Sequence, residues 1–186
     1  MNMPFTEEAK RAIFFAQYES NRSTSPSVET EHLLLGILRE NPAFLGRFRV
    51  SESLVRDLIH TDEVSDKGAS ELCNLPLTDQ SKNVLGSAKD EASRMSSKNV
   101  GIEHLLLGLL HEDCNASRIL HKCGLSLDRI RTELIANPHH PQSDDARLNR
   151  EDDKLERIIS SISDQFHHRA RNDRRSENRA VQDRIS

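Results

Sequence analysis

The feature that most constrains this chain is a hexapeptide that occurs twice. Glu-His-Leu-Leu-Leu-Gly begins at Glu31 and again at Glu103, 72 residues further on. A repeat at a fixed period means two like units whose apolar faces must be buried, most simply against each other. The same register aligns Thr6 with Thr78, Lys10 with Lys82, Ala16 with Ala88, Glu19 with Glu91, Arg22 with Arg94, Ser25 with Ser97 and Val28 with Val100. It continues through Leu38 with Leu110 and Glu40 with Glu112. One register over about 35 positions is a duplication rather than a chance match. Beyond Glu112 the register slips by three, so that Val50 falls on Leu125, which implies a small insertion in the second copy near residues 114–124.

Each copy reads as four helices. Thr6 predicts an N-cap, with Glu7 and Glu8 in the first turn where the helix dipole favours acids. Thr78 and Asp79 open the matching helix of the second copy. Ala9, Ile13 and Ala16 recur at roughly helical spacing. The helix carrying the hexapeptide is apolar nearly all round and should be the most buried element of its copy. A short helix follows, over 42–48 in one copy and 115–122 in the other, and a last one starts at a serine cap, Ser51 or Ser126. Asn137-Pro138 stops the second copy. The expectation is all-α: two pseudo-symmetric four-helix repeats, 3–61 and 77–137, sharing one core within a domain over 3–137. Residues 62–76 link the copies.

The rest of the chain, 138–186, changes character. A polar linker leads to a stretch over 148–166 in which Leu148, Leu155, Ile158, Ile159, Ile162 and Phe166 form an amphipathic stripe, and a charged end follows. The stripe fits a marginal, partly disordered solvated helix or a helix for partner binding or self-association.

Composition narrows the function. A net charge of −4 predicts no broad basic face for nucleic acid. The start carries acids and no apolar core of a signal peptide, and the apolar runs are broken by glycine and charge, far short of a membrane span. Three cysteines cannot all pair within one chain and fit reduced thiols, so a cytoplasmic protein is expected. None of the seven glycines precedes a lysine, so no phosphate-cradling Gly-x-x-x-x-Gly-Lys loop is present and no cofactor is called for.

Candidate sites are few. Glu31 and Glu103 sit in the first turn of their helices, where a carboxylate complements the dipole with no other purpose. His32 and His104 lie on mostly buried helices and read as packed, hydrogen-bonded residues, with no nucleophile motif beside them. His111, Cys114, His121 and Cys123 have a spacing that invites zinc. The first copy has no ligands near the corresponding positions, however, so the unit can be built without a metal and no metal site is assigned. Leu33, Leu34, Leu35 and their copies Leu105, Leu106 and Leu107 are core.

The doubled Phe-Thr or Leu-Thr helix start and the doubled Glu-His-Leu-Leu-Leu-Gly at this spacing resemble the Clp N-terminal (Clp R) domain family, over about residues 3–137. The resemblance implies two four-helix repeats packed as one globule at the front of AAA+ unfoldases, receiving substrates or adaptors without catalysis of its own. Without ATPase modules, this chain resembles a stand-alone accessory factor of Clp-type unfolding and degradation, with an unfoldase, protease, adaptor or substrate protein as partner. In family members of the Gram-positive type, the matching threonine and glutamate form paired pockets for phosphoarginine. The residues carried over are Thr6 with Glu31, and Thr78 with Glu103. Ile102 departs from the pattern, standing where the first copy has Thr30.

Overall fold

A computed structural model describes residues 3–59 and 75–137. The linker over 60–74 and everything from 138, including the amphipathic stripe over 148–166, lie outside the described residues. Eight helices are present among them: α1 (Glu7–Arg22), α2 (Thr30–Glu40), α3 (Pro42–Gly46) and α4 (Glu52–Ile59), then α5 (Asp79–Arg94), α6 (Ile102–His111), α7 (Asn115–Lys122) and α8 (Leu127–Ala136). The predicted caps are in place. The Thr6 hydroxyl accepts from the Ala9 N–H at 3.1 Å and the Thr78 hydroxyl from the Ser81 N–H at 3.1 Å. Ser51 and Ser126 cap the last helix of each copy.

Within each copy the first two helices pack antiparallel and unusually close. The glycine of the hexapeptide is the reason. A Cβ on Gly36 would run into the Ala12 carbonyl oxygen, and one on Gly108 would lie 2.5 Å from the Val84 carbonyl oxygen. The repeated glycine is therefore the contact point between backbones, which no side chain can share. The direction of packing is set by end contacts. At one end of α1, Glu8 accepts from Asn41 at 2.8 Å and Arg11 pairs with Glu40 at 2.6 Å. At the other end, Ser23 meets His32 at 2.9 Å.

The central helices α2 and α6 pack on each other, and Leu34, Ile37, Leu38, Leu106, Leu107 and Leu109 are all fully buried. Two short parallel bridges stitch the copies reciprocally. Phe5, ahead of α1, pairs with Val100, ahead of α6, and Leu77, ahead of α5, pairs with Val28, ahead of α2. In the first bridge Thr6 N–H donates to the Val100 carbonyl at 2.9 Å and Val100 N–H to the Pro4 carbonyl at 2.8 Å. In the second, Thr78 donates to Val28 at 3.1 Å and Val28 to Pro76 at 2.8 Å.

The last helix of each copy is tied down by a buried carboxylate. Glu19 accepts from Arg39 at 3.0 Å and Arg56 at 2.8 Å, and Glu91 accepts from Arg131 at 2.6 Å and Arg94 at 2.7 Å. Arg56 and Arg131 correspond in the slipped register, so the same clamp was duplicated with the unit. Burial pushes the Glu91 carboxyl up, but Arg131, Arg94 and His111 together outweigh it and hold it below its ordinary value.

The short helix of the first copy is shorter than expected, ending at Gly46 rather than at 48. The chain leaves it through Arg49, which takes a left-handed φ of 62°, and Val50 N–H closes back on the Leu45 carbonyl. The matching residue of the second copy is Gly124 at φ 77°, the residue type that this turn ordinarily demands.

Candidate functional site

The expected pairing of threonine and glutamate within a copy is not what the fold builds. Antiparallel packing puts Thr6 at one end of α1 and Glu31 beside the other, about 24 Å away along a 16-residue helix. The bridges cross instead. The Thr6 segment is hydrogen-bonded to the segment that enters α6, three residues before Glu103, and the Thr78 segment to the one that enters α2, three residues before Glu31. Two seams result. One joins Thr6 with Glu103 and the other Thr78 with Glu31. Every residue of the expected set lies at a seam, but each seam draws on both copies.

At the second seam Glu31 spans between copies. Its Oε1 accepts from the Asn115 side chain at 3.1 Å and its Oε2 from the Thr30 hydroxyl at 3.3 Å. Thr30 in turn accepts from Ala116 N–H at 3.4 Å. The first turn of α7 is thus held on the first turn of α2, and this gives Thr30 a role that the fully buried Ile102 cannot have. Glu29 lies close by. Burial raises its carboxyl, and the charge and hydrogen bond of Glu31 raise it further, against a lowering bond from Ser25.

At the first seam Gly101 stands where Glu29 would be. A Cβ there would run into the Glu103 carboxylate, so the missing side chain lets Glu103 fold over its own helix entry. Lys89, on α5, places its ammonium 5.5 Å from the centre of the Phe5 ring. Burial lowers its pKa.

The two histidines are helix-capping groups. His32 Nδ1 accepts from the Glu29 N–H at 3.0 Å, and His104 Nδ1 accepts from the Gly101 N–H at 2.9 Å. Each does what a glutamate does at the third position of a capping box. An accepting Nδ1 assigns the proton to Nε2. In the first copy Nε2–H reaches the Ser23 hydroxyl. In the second, Met95 replaces that serine, and among the described residues His104 Nε2 is buried without a hydrogen-bond partner. Burial pushes the His104 ring down to about 4, against the opposing charge of Glu91, and burial lowers His32 against Glu31 and Glu19. His104 is therefore neutral near pH 7, and its 3.1 Å approach to Glu103 is a polar contact rather than an ion pair.

Two of the four residues that invited zinc are engaged elsewhere: Cys114 is buried against the Leu109 carbonyl, and His121 bonds the Leu125 carbonyl at 2.8 Å. Among the described residues no three His, Cys, Asp or Glu side chains are grouped to hold a metal ion, and no helix is long and apolar enough to cross a membrane. Sequence reasoning missed Asn115, Lys89 and Glu29. Lys89 and Glu29 could have been found as mismatches at aligned positions (Gln17 against Lys89, Glu29 against Gly101). Asn115 lies past the register slip, where no aligned position pointed to it.

Fold and seams define the class: a duplicated all-helical unit whose halves are stitched by reciprocal bridges. The chain belongs to the Clp repeat (R) N-terminal domain family, whose model matches residues 4–123 and again 76–155. It is 30% identical over 133 residues to the ATP-dependent Clp protease ATP-binding subunit ClpC of Staphylococcus epidermidis. It is 31% identical over 134 residues to the negative regulator of genetic competence ClpC/MecB of Bacillus subtilis. Each match covers 70% of this chain but only 16% of the relative, so the chain spans a small fraction of these relatives. The solved N-terminal domain of the chaperone ClpD from Arabidopsis thaliana superposes with a TM-score of 0.59 at 25% identity, over 73% of this chain and 96% of that domain.

Proposed function

We propose that this protein acts by binding rather than by catalysis, as an accessory or adaptor module of Clp-type protein unfolding and degradation. Its partner is a Clp unfoldase, its protease, an adaptor or a substrate protein. The observation that carries this is the family match over both copies, together with relatives that are subunits of Clp proteases. The test is affinity capture with the full chain as bait, followed by mass spectrometry. Recovery of a Clp ring, its protease or an adaptor supports the reading. A bait that captures none of these, or captures them equally when Leu34→Asp has unfolded the domain, sinks it.

A second reading is favoured by the crossed seams. Each sets a carboxylate in the first turn of a central helix close to the N-cap of a 16-residue helix from the other copy. A carboxylate can bind a guanidinium bidentately, and a helix N-terminus with a threonine hydroxyl suits a phosphate. The seams are then receptors for arginine-phosphorylated proteins. Titration calorimetry with free phosphoarginine tests it. No heat with the wild type, or unchanged heat with Glu31→Ala combined with Glu103→Ala, removes the reading.

A further inference from the structure

The outer faces of α1 and α5 are related by the duplication but not by their chemistry. Glu7, Arg11, Phe14, Tyr18 and Arg22 recur every three to four residues and form one stripe along α1. The buried Ala9, Ala12, Ile13 and Ala16 lie on the opposite face, where α1 packs on α2. The equivalent stripe of α5 is Asp79, Asn83, Gly86, Asp90 and Arg94, and all of these are exposed. The fold is thus built once with no apolar side chain on this face, so the repeat itself has no need of Phe14 and Tyr18 there. Among the described residues every Phe and Tyr lies in the first copy. Phe44 and Phe48 are buried edge to face, and Phe5 lies in a bridge. Phe14, Phe15 and Tyr18 remain, half-buried on α1. The Phe14 and Phe15 ring centres are 5.8 Å apart, and the Arg39 guanidinium lies over the Phe15 and Tyr18 rings.

The stripe is complementary to itself. It has an acid at one end, a base at the other and aromatic rings between. Glu7 is 66% exposed, and Arg22 has no ion-pair partner among the described residues. Glu7 and Arg22 lie equally far from the midpoint between Phe14 and Phe15, and so do Arg11 and Tyr18. A second α1 turned end for end therefore sets Glu7 against Arg22 at both ends. It also sets the Arg11 guanidinium, which keeps Glu40, on the Tyr18 ring, and the phenylalanines on one another. On α5 the same operation brings together only Gly86 and Asp90, and Arg94 is already held by Glu91. We propose that the outer face of α1 is a self-association surface, on which two copies of this chain pair their first helices antiparallel about a twofold axis through Phe14 and Phe15. A 16-residue helix is about 24 Å long, so the contact is small for a specific interface and the dimer is reversible.

The experiment is sedimentation equilibrium of the full chain at low salt, over about 1–200 μM. The wild type should pass from the mass of one chain to twice that mass. Phe14→Ser combined with Tyr18→Asp, the second being the residue that α5 carries at this position, should weaken the dimer about tenfold or more. Asp90→Ala on α5 should leave it unchanged. Glu7→Arg and Arg22→Glu should each weaken it about fivefold, because like charges then meet at both ends. A mixture of these two variants should pair again, since every arginine then meets a glutamate. Thermal melts check that each variant is folded, and the charge variants leave the core untouched if the aromatic one is not. A wild type that stays at the mass of one chain throughout would overturn the inference, whatever else covers the stripe. So would a dimer as tight in the folded Phe14 and Tyr18 variant, or a mixture of charge variants that pairs no better than either alone.

Discussion

Replacing Gly36 with alanine should destabilise the domain, although alanine is the better helix former. Gly36 lies inside α2, where intrinsic propensity favours alanine by about 1 kcal/mol. The added Cβ, however, would collide with the Ala12 carbonyl oxygen and sit 2.8 Å from the Ala16 nitrogen. Both are backbone atoms of α1, so no side chain can rotate away, and the two helices must separate along their main contact. Overpacking of this kind costs about 1–3 kcal/mol or more, and a rigid backbone neighbour puts this case at the upper end. The net loss should be about 2 kcal/mol. With a urea slope of about 2 kcal/mol per molar, the unfolding midpoint falls by about 1 M. Gly86→Ala is the internal control. It is also inside a helix, but a Cβ there meets nothing within 4 Å, so only the propensity gain of about 1 kcal/mol remains and the midpoint should rise. Urea titrations followed by helical circular dichroism measure both. A Gly36→Ala protein as stable as the wild type would refute the close approach of α1 and α2 as the reason for the repeated glycine.

Three further outcomes follow from the same contacts. His104 is buried and titrates near 4 when folded against 6.5 ordinarily, so the unfolded chain takes up its proton first as pH falls. Stability from this residue is therefore intact above about pH 6.5 and declines by up to about 3 kcal/mol towards pH 4, and His104→Asn should flatten that slope in urea titrations at pH 7 and pH 5. Arg131→Ala leaves the buried Glu91 with the exposed Arg94 as its remaining ion pair among the described residues and should cost about 2 kcal/mol, whereas Arg94→Ala should cost well under 1, both read from thermal melts. Arg49→Gly relieves a left-handed residue and should stabilise by about 1 kcal/mol, while Gly124→Arg at the matching turn should destabilise by about as much.

Much of the fold was legible because a duplication can be read without any propensity at all. The matched Thr6 and Thr78 marked two helix starts, and the buried hexapeptide marked two central helices. The histidines were read as packed and hydrogen-bonded, and their capping role follows from standing at the third helical position. The crossing of the seams was not legible. Alignment of repeats pairs residues within a copy by default, and bridges one residue long, such as Phe5 with Val100, have no period to announce them. The carboxylate clamps were half visible: Glu19 and Glu91 align in the first register, but Arg56 and Arg131 align only in the slipped one. The end of α3 was misjudged because Arg49 does the work of the glycine that marks the same turn in the second copy.

The crossing is the central claim, since it makes the copies one unit and decides which threonine meets which glutamate. Nuclear Overhauser contacts in the full chain test it most directly. The account predicts contacts between the amide of Thr6 and Val100, and between the amide of Thr78 and Val28. Their absence, with Thr6 instead in contact with residues leading to Glu31, would contradict it.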